Sequence, residues 1–72
     1  MRVVIKDVYG HKEVMDIEPE WTVGHLKNLI EMARGIPIMN QRLIYLGSPL
    51  VDEMTLERVE EGSVIWVVRQ LS

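Results

Sequence analysis

The closing stretch GSVIWVVRQLS carries Val64, Ile65, Trp66, Val67 and Val68 as an unbroken apolar run. A strand sends alternate side chains to opposite faces, so this one is apolar on both. Each of those faces needs a cover or must stay open. In a chain of 72 residues folding hides only about 60 % of the surface, which leaves one domain, one modest core and no cleft walled by two lobes. An independent enzyme is disfavoured on that ground. No Ser, His and Asp arrangement and no paired acids at motif spacing stand out either, and the two Glu before Gly62 read as a turn.

The remaining segments tell how many elements are available as cover. RVVIKDVYGHKEVMDI reads as a hairpin: Val3 and Ile5 alternate with Val4 and Lys6, Met15 and Ile17 alternate with Asp16, and Gly10 suits the turn. Pro19 breaks the second strand, and Thr22 is positioned as an N-cap. The spacing of Val23, Leu26, Ile30 and Ala33, with Leu29 beside them, predicts one amphipathic helix that stops at Gly35. QRLIYLG reads as a short strand with Leu43 and Tyr45 on one face and Arg42 and Ile44 on the other. GSP ends it in a turn, and Leu50, Leu56 and Val59 predict a loop with a short helical turn at the core edge. The pattern is an α+β domain with a single helix crossing a sheet.

One helix covers one face of such a sheet. If Ile65 and Val67 face it, then Val64, Trp66 and Val68 face outward, as do Ile44 with Arg42 and Val4 with Lys6 on their own strands. Val4, Ile44, Trp66 and Val68, rimmed by Lys6, Arg42 and Val8 from the turn, form a patch more apolar than a solvated sheet face normally is, and such patches have partners.

Composition narrows what those partners are. The net charge is −3 and the basic residues are scattered, so no footprint for phosphate backbones exists and nucleic acid is not expected. Apolar runs fall far short of the ~20 residues that span a bilayer, and no signal-peptide core is present, so a soluble chain is expected, with no membrane partner. The sequence has no cysteine, which removes disulfides, thiolate metal sites and a thiol nucleophile. His11 and His25 lie in different elements without a paired ligand pattern, so neither metal nor cofactor is expected.

The run KNLIEMARGIPIMNQRLIYLGSPLVDEMTL resembles the ubiquitin family, in which a helix also ends in Gly-Ile-Pro and is followed by Gln-Arg-Leu-Ile-aromatic, a glycine turn, Leu, Asp and Thr-Leu. IEPEWTVGHLK is similar to the passage that enters the family's helix, and the strand pattern agrees from Met1 to Val68. The resemblance implies the β-grasp fold: a mixed four- to five-stranded sheet, its closing strand central and parallel to the first, crossed by one α-helix. It also implies a recognition surface, since the family's three aliphatic contact positions correspond to Val8, Ile44 and Val68. Gly47 corresponds to a glycine that lets partners approach the backbone, Arg42 and Lys6 to basic rim residues, and Trp66 to a histidine. Tryptophan adds area and removes a titrating group, so contact here is expected to be more apolar and less pH-dependent.

Conjugation in this family requires a flexible tail ending in Gly-Gly, whereas this chain ends VRQLS. Leu71 and Ser72 cannot serve that chemistry, Gln70 is not the family's arginine, and Ser48 and His11 stand where branching lysines occur. The expectation is a non-conjugating ubiquitin-like domain spanning residues 1–72 of a larger host. It would dock, in cytoplasm or nucleus, on ubiquitin-binding domains or proteasome receptor subunits. The alternatives are a modifier cut short of its Gly-Gly, or a domain packing against its own host. A patch of about 400 Å² at ~25 cal/mol/Å² gives roughly 10 kcal/mol gross, and association costs of about 4 to 15 kcal/mol offset much of it. Weak binding, about micromolar to millimolar, follows. Lys27 is expected in a helix-face salt bridge, and Met15, Met32, Met39 and Met54 as core filler or edge residues.

Overall fold

The computed structural model describes residues 1–71. Of the two tail residues excluded above from conjugation, Leu71 is exposed and Ser72 lies outside the described residues.

Thr22 and Gly35 set the limits of the helix α1 (Val23–Arg34). The Thr22 Oγ1 accepts the His25 N–H at 3.2 Å, which satisfies one of the free donors of the first turn. At the other end Gly35 takes φ 71° and donates its N–H to the Glu31 carbonyl at 2.8 Å. A residue with a Cβ resists that left-handed conformation. Ile36 then folds back into the core, the hydrophobic contact that accompanies such a stop. Val23, Leu26 and Ile30 form the buried stripe as expected, but Ala33 is exposed and Lys27 is buried instead. Ile36 supplies the core contact beyond Ile30, so the last turn of the helix has no need of Ala33.

Around this helix lies a sheet of β1 (Arg2–Lys6), β2 (Lys12–Asp16), β3 (Gln41–Tyr45), β4 (Ser48–Pro49) and β5 (Val64–Arg69), in the order β2-β1-β5-β3-β4. β5 is central, parallel to β1 and antiparallel to β3. This is the β-grasp architecture. Ser48 and Pro49, expected only as a turn, pair back on Tyr45 and Ile44 as the short fifth strand. A single 3₁₀ turn, Ile38–Asn40, leads into β3. The segment between Val51 and Ser63 contains turns and an isolated bridge from Thr55 to Thr22, with no helical element. Its Leu56 and Val59 are nonetheless buried. That segment also completes the helix entrance, since its carbonyls of Met54 and Asp52 accept the N–H groups of Val23 and Gly24 at 2.8 and 3.0 Å.

The core lies between α1 and one sheet face: Val3, Ile5, Leu43, Ile65 and Val67 pack with Val23, Leu26 and Ile30 in a single cluster. Each such side chain stabilises the fold by about 1.5–3 kcal/mol through burial. Lys27, at the edge of this core, pairs with Asp52 at 2.7 Å. Its partner is thus a distant loop residue and not a neighbour on the same helix, because the buried Lys27 stem points toward the 51–63 segment. Among the methionines, Met15 and Met54 pack against the core, but Met32 and Met39 are exposed and fill nothing.

Candidate functional site

The register of the three central strands determines what the outer sheet face presents. Lys6 is opposite Trp66 across the parallel β1–β5 pair, and Trp66 is opposite Ile44 across β5–β3. Ile44 in turn pairs with Pro49. Lys6, Trp66, Ile44 and Pro49 therefore form one row across the sheet, with side chains on a common face. Toward the β5 C-terminus Val68 pairs with Arg42, and toward its N-terminus Val64 pairs with Val4. All seven strand residues expected on this face are on it, because their neighbours Val3, Ile5, Leu43, Ile65 and Val67 occupy the core side.

The indole at the centre is 39 % exposed. The Lys6 ammonium lies 5.3 Å from its ring centroid, within the range where a cation is attracted to the ring face, worth about 0.5–1 kcal/mol at an exposed position. Trp66 is thereby flanked by a cation on the β1 side and by half-buried Ile44 on the β3 side. The side chain does not cover Ile44 or Val4 completely, and no other segment of residues 1–71 lies over the row.

Gly47 and Val8 flank the face without belonging to a strand. Tyr45 pairs with Ser48, so Leu46 and Gly47 form a two-residue hairpin turn with φ of 51° and 80°, both positive as the tightest hairpins require. Apart from its two chain neighbours, no protein residue comes within 4 Å of where a Gly47 Cβ would stand, so the backbone there is open to approach. Val8, 67 % exposed, sits in the β1–β2 turn. With Val67 and Arg69 it lines a cleft of about 180 Å³, which puts it beside the C-terminal end of β5, where Val68 and Arg42 lie.

The turn carrying Val8 is held by charge. Asp7 Oδ1 accepts the N–H groups of Tyr9 and His11 at 2.9 and 3.0 Å. Oδ2 is 2.9 Å from both His11 Nδ1 and Arg34 Nη2. Burial pushes the Asp7 carboxyl up, but the hydrogen bonds from His11, the Tyr9 N–H and Arg34 outweigh it and hold the group at about 2. An ionised carboxylate only accepts, so His11 carries its proton on Nδ1.

Several residues of this surface escape the sequence reading. Val14 is 62 % exposed and pairs with Val4, extending the apolar face onto β2. Its alternation against Met15 was the available signal. Pro49 enters through β4, which no periodicity reveals in a strand of two residues. Leu46, 82 % exposed in a left-handed conformation, and Tyr9, 81 % exposed beside Val8, had no strand pattern to announce them. Of the histidines, His11 engages Asp7, and His25 lies against Trp21 with ring centroids 4.4 Å apart.

Comparison with known proteins follows the same lines. Ubiquitin-like protein 1 of Schizosaccharomyces pombe is 36 % identical over 73 residues, covering 99 % of this chain and 94 % of that protein. NEDD8-like protein RUB3 of Arabidopsis thaliana is 33 % identical over 73 residues, with the same coverage of 99 % and 94 %. Ubiquitin domain-containing protein DSK2 of Saccharomyces cerevisiae is 40 % identical over 57 residues, covering 76 % of this chain but 15 % of that protein. The chain thus spans nearly all of two relatives and a small part of the third. A family model described as the ubiquitin family matches residues 3–72, and together with the β-grasp sheet and these relatives it places the chain in the ubiquitin family.

Proposed function

We propose that this chain is a protein-interaction module that docks a larger host on ubiquitin-binding domains or proteasome receptor subunits. The observation that carries it is the row Lys6, Trp66, Ile44, Pro49 on a sheet face that no segment among residues 1–71 covers. Val4, Val68 and Val8 widen the apolar area, Arg42 and Lys6 supply a basic rim, and Gly47 permits close approach. The match to a small part of the DSK2 protein supports a domain carried by a larger chain. Contact through a surface of this size is weak, about micromolar to millimolar, and gains avidity from other domains of the host. Cytoplasm or nucleus is the proposed setting. No helix among the described residues is long and apolar enough to cross a membrane.

Titration of the ¹⁵N-labelled chain with an isolated ubiquitin-associated domain, and separately with a proteasomal receptor fragment, tests this. Shifts should centre on Ile44, Trp66 and Val68, and Ile44→Ala should weaken them without unfolding the chain. Unchanged affinity in Ile44→Ala would remove the face from the site.

Near-complete coverage of two relatives favours a second function, a modifier whose tail extends beyond this sequence. A native reading frame that runs on to Gly-Gly and then stops would decide for it.

A further inference from the structure

The three central strands position Ile44, Trp66 and Val68 by packing, but nothing comparable holds Val8. It lies outside any strand, it and its neighbour Tyr9 are 67 % and 81 % exposed, and neither belongs to the buried core. An apolar tip with so little packing should fluctuate unless something else restrains it. Backbone bonds close the turn on itself, from the Asp7 N–H to the His11 carbonyl at 3.1 Å and from the Gly10 N–H to the Asp7 carbonyl at 3.2 Å, and a carboxylate ties it to the helix. Asp7 binds its own turn through the Tyr9 and His11 N–H groups and binds the last turn of α1, 27 positions on, through Arg34. The Asp7 and Arg34 side chains are only 11 % and 17 % exposed, so water competes little for this pair. His11 closes the cluster at 2.9 Å.

Building on the docking function above, we propose that Asp7, acting through Arg34 and His11, is the positioning residue of the docking surface, and that the tip it fixes contributes Tyr9 as well as Val8 to partner contact. A tip ordered before binding spares the complex the loss of side-chain and backbone freedom. The Val8 and Tyr9 side chains are both exposed in the turn that follows β1 and, with Val67 and Arg69, line the cleft at the C-terminal end of β5.

Two readouts test this with Asp7→Ala and, from the other end of the pair, Arg34→Gln. The first is ¹⁵N relaxation of the free chain. Amides 8–10 should become mobile in both variants while the strands stay rigid, and tips as ordered as in the unaltered chain would overturn the clamp. The second is affinity for an isolated ubiquitin-associated domain. Asp7→Ala should weaken it by about three- to tenfold, the effect of ordering one or two side chains on binding, yet have little further effect in a Val8→Ala/Tyr9→Ala background. An equal loss in both backgrounds would overturn the positioning role, since a purely structural residue would act regardless of the tip. Should the unaltered chain bind neither the ubiquitin-associated domain nor the proteasomal receptor fragment, docking and the positioning role built on it both fall, while relaxation still decides whether the clamp exists.

Discussion

The two faces of the central strands are made of the same kind of residue and have opposite fates. On β5, Ile65 and Val67 are 0 % and 1 % exposed, whereas Trp66 between them is 39 % exposed. On β3 the contrast is Leu43 against Ile44, and on β1 Ile5 against Val4. Apolar character therefore does not determine burial in this molecule. The single helix has one apolar stripe and lies on one side, which leaves the outer face without a helix to cover it.

Substitutions on adjacent residues separate the two faces. The largest effect is expected inside: Leu43→Ala leaves a cavity under α1 and should lower unfolding free energy by about 2–5 kcal/mol, measured by urea denaturation. Its neighbour Ile44→Ala should lower stability by less than about 1 kcal/mol and instead weaken partner affinity about tenfold, measured by titration. If Ile44→Ala proves as destabilising as Leu43→Ala, the outer face is structural and the contrast fails.

The edges of the outer face sharpen the comparison, because strain and charge hold them where packing does not. Leu46 sits exposed at φ 51°, a conformation that costs a side-chain-bearing residue about 1–2 kcal/mol. Leu46→Gly should therefore raise the thermal midpoint, corresponding to about 1 kcal/mol, even as it removes an apolar side chain from the surface. A lower midpoint would mean that Leu46 packs more than its exposure suggests. Asp7 gives the smallest effect and a pH signature. Its folded-state value of about 2 lies below the ordinary 3.8, so its contribution is present above about pH 4 and disappears as pH falls through about 2. The groups facing it are His11, Arg34, Tyr9 and Arg69. Denaturation of the unaltered chain and Asp7→Asn across that range should show their difference shrinking toward pH 2, and a constant difference would sink the assignment.

The local signals were readable where a short window contains the cause. Alternation placed Val3 and Ile5 opposite Val4 and Lys6, and Leu43 opposite Ile44, because the strand period is two. Thr22 and Gly35 marked the helix ends because capping depends on the adjacent backbone. The spacing of Ala33 points it into the buried stripe, yet Ile36 folds back past Gly35 to take that place. Lys27 reads as a surface helix residue until Asp52, 25 positions on, provides its partner. The family resemblance supplies the positions Val8, Ile44 and Val68, whereas Leu46, Pro49 and Tyr9 emerge only from the register and the turns.

By itself the sequence determined that a helix and several strands form and that more apolar surface exists than one helix can cover, since both follow from nearest-neighbour geometry and the period of the pattern. Tertiary structure decided which residues meet: the parallel pairing that puts Lys6 over Trp66, the antiparallel pairing that puts Ile44 beside it, and the Asp7 to Arg34 clamp. Such contacts join residues far apart in the chain, so their selection depends on the global packing of the sheet and not on any local preference of the residues involved.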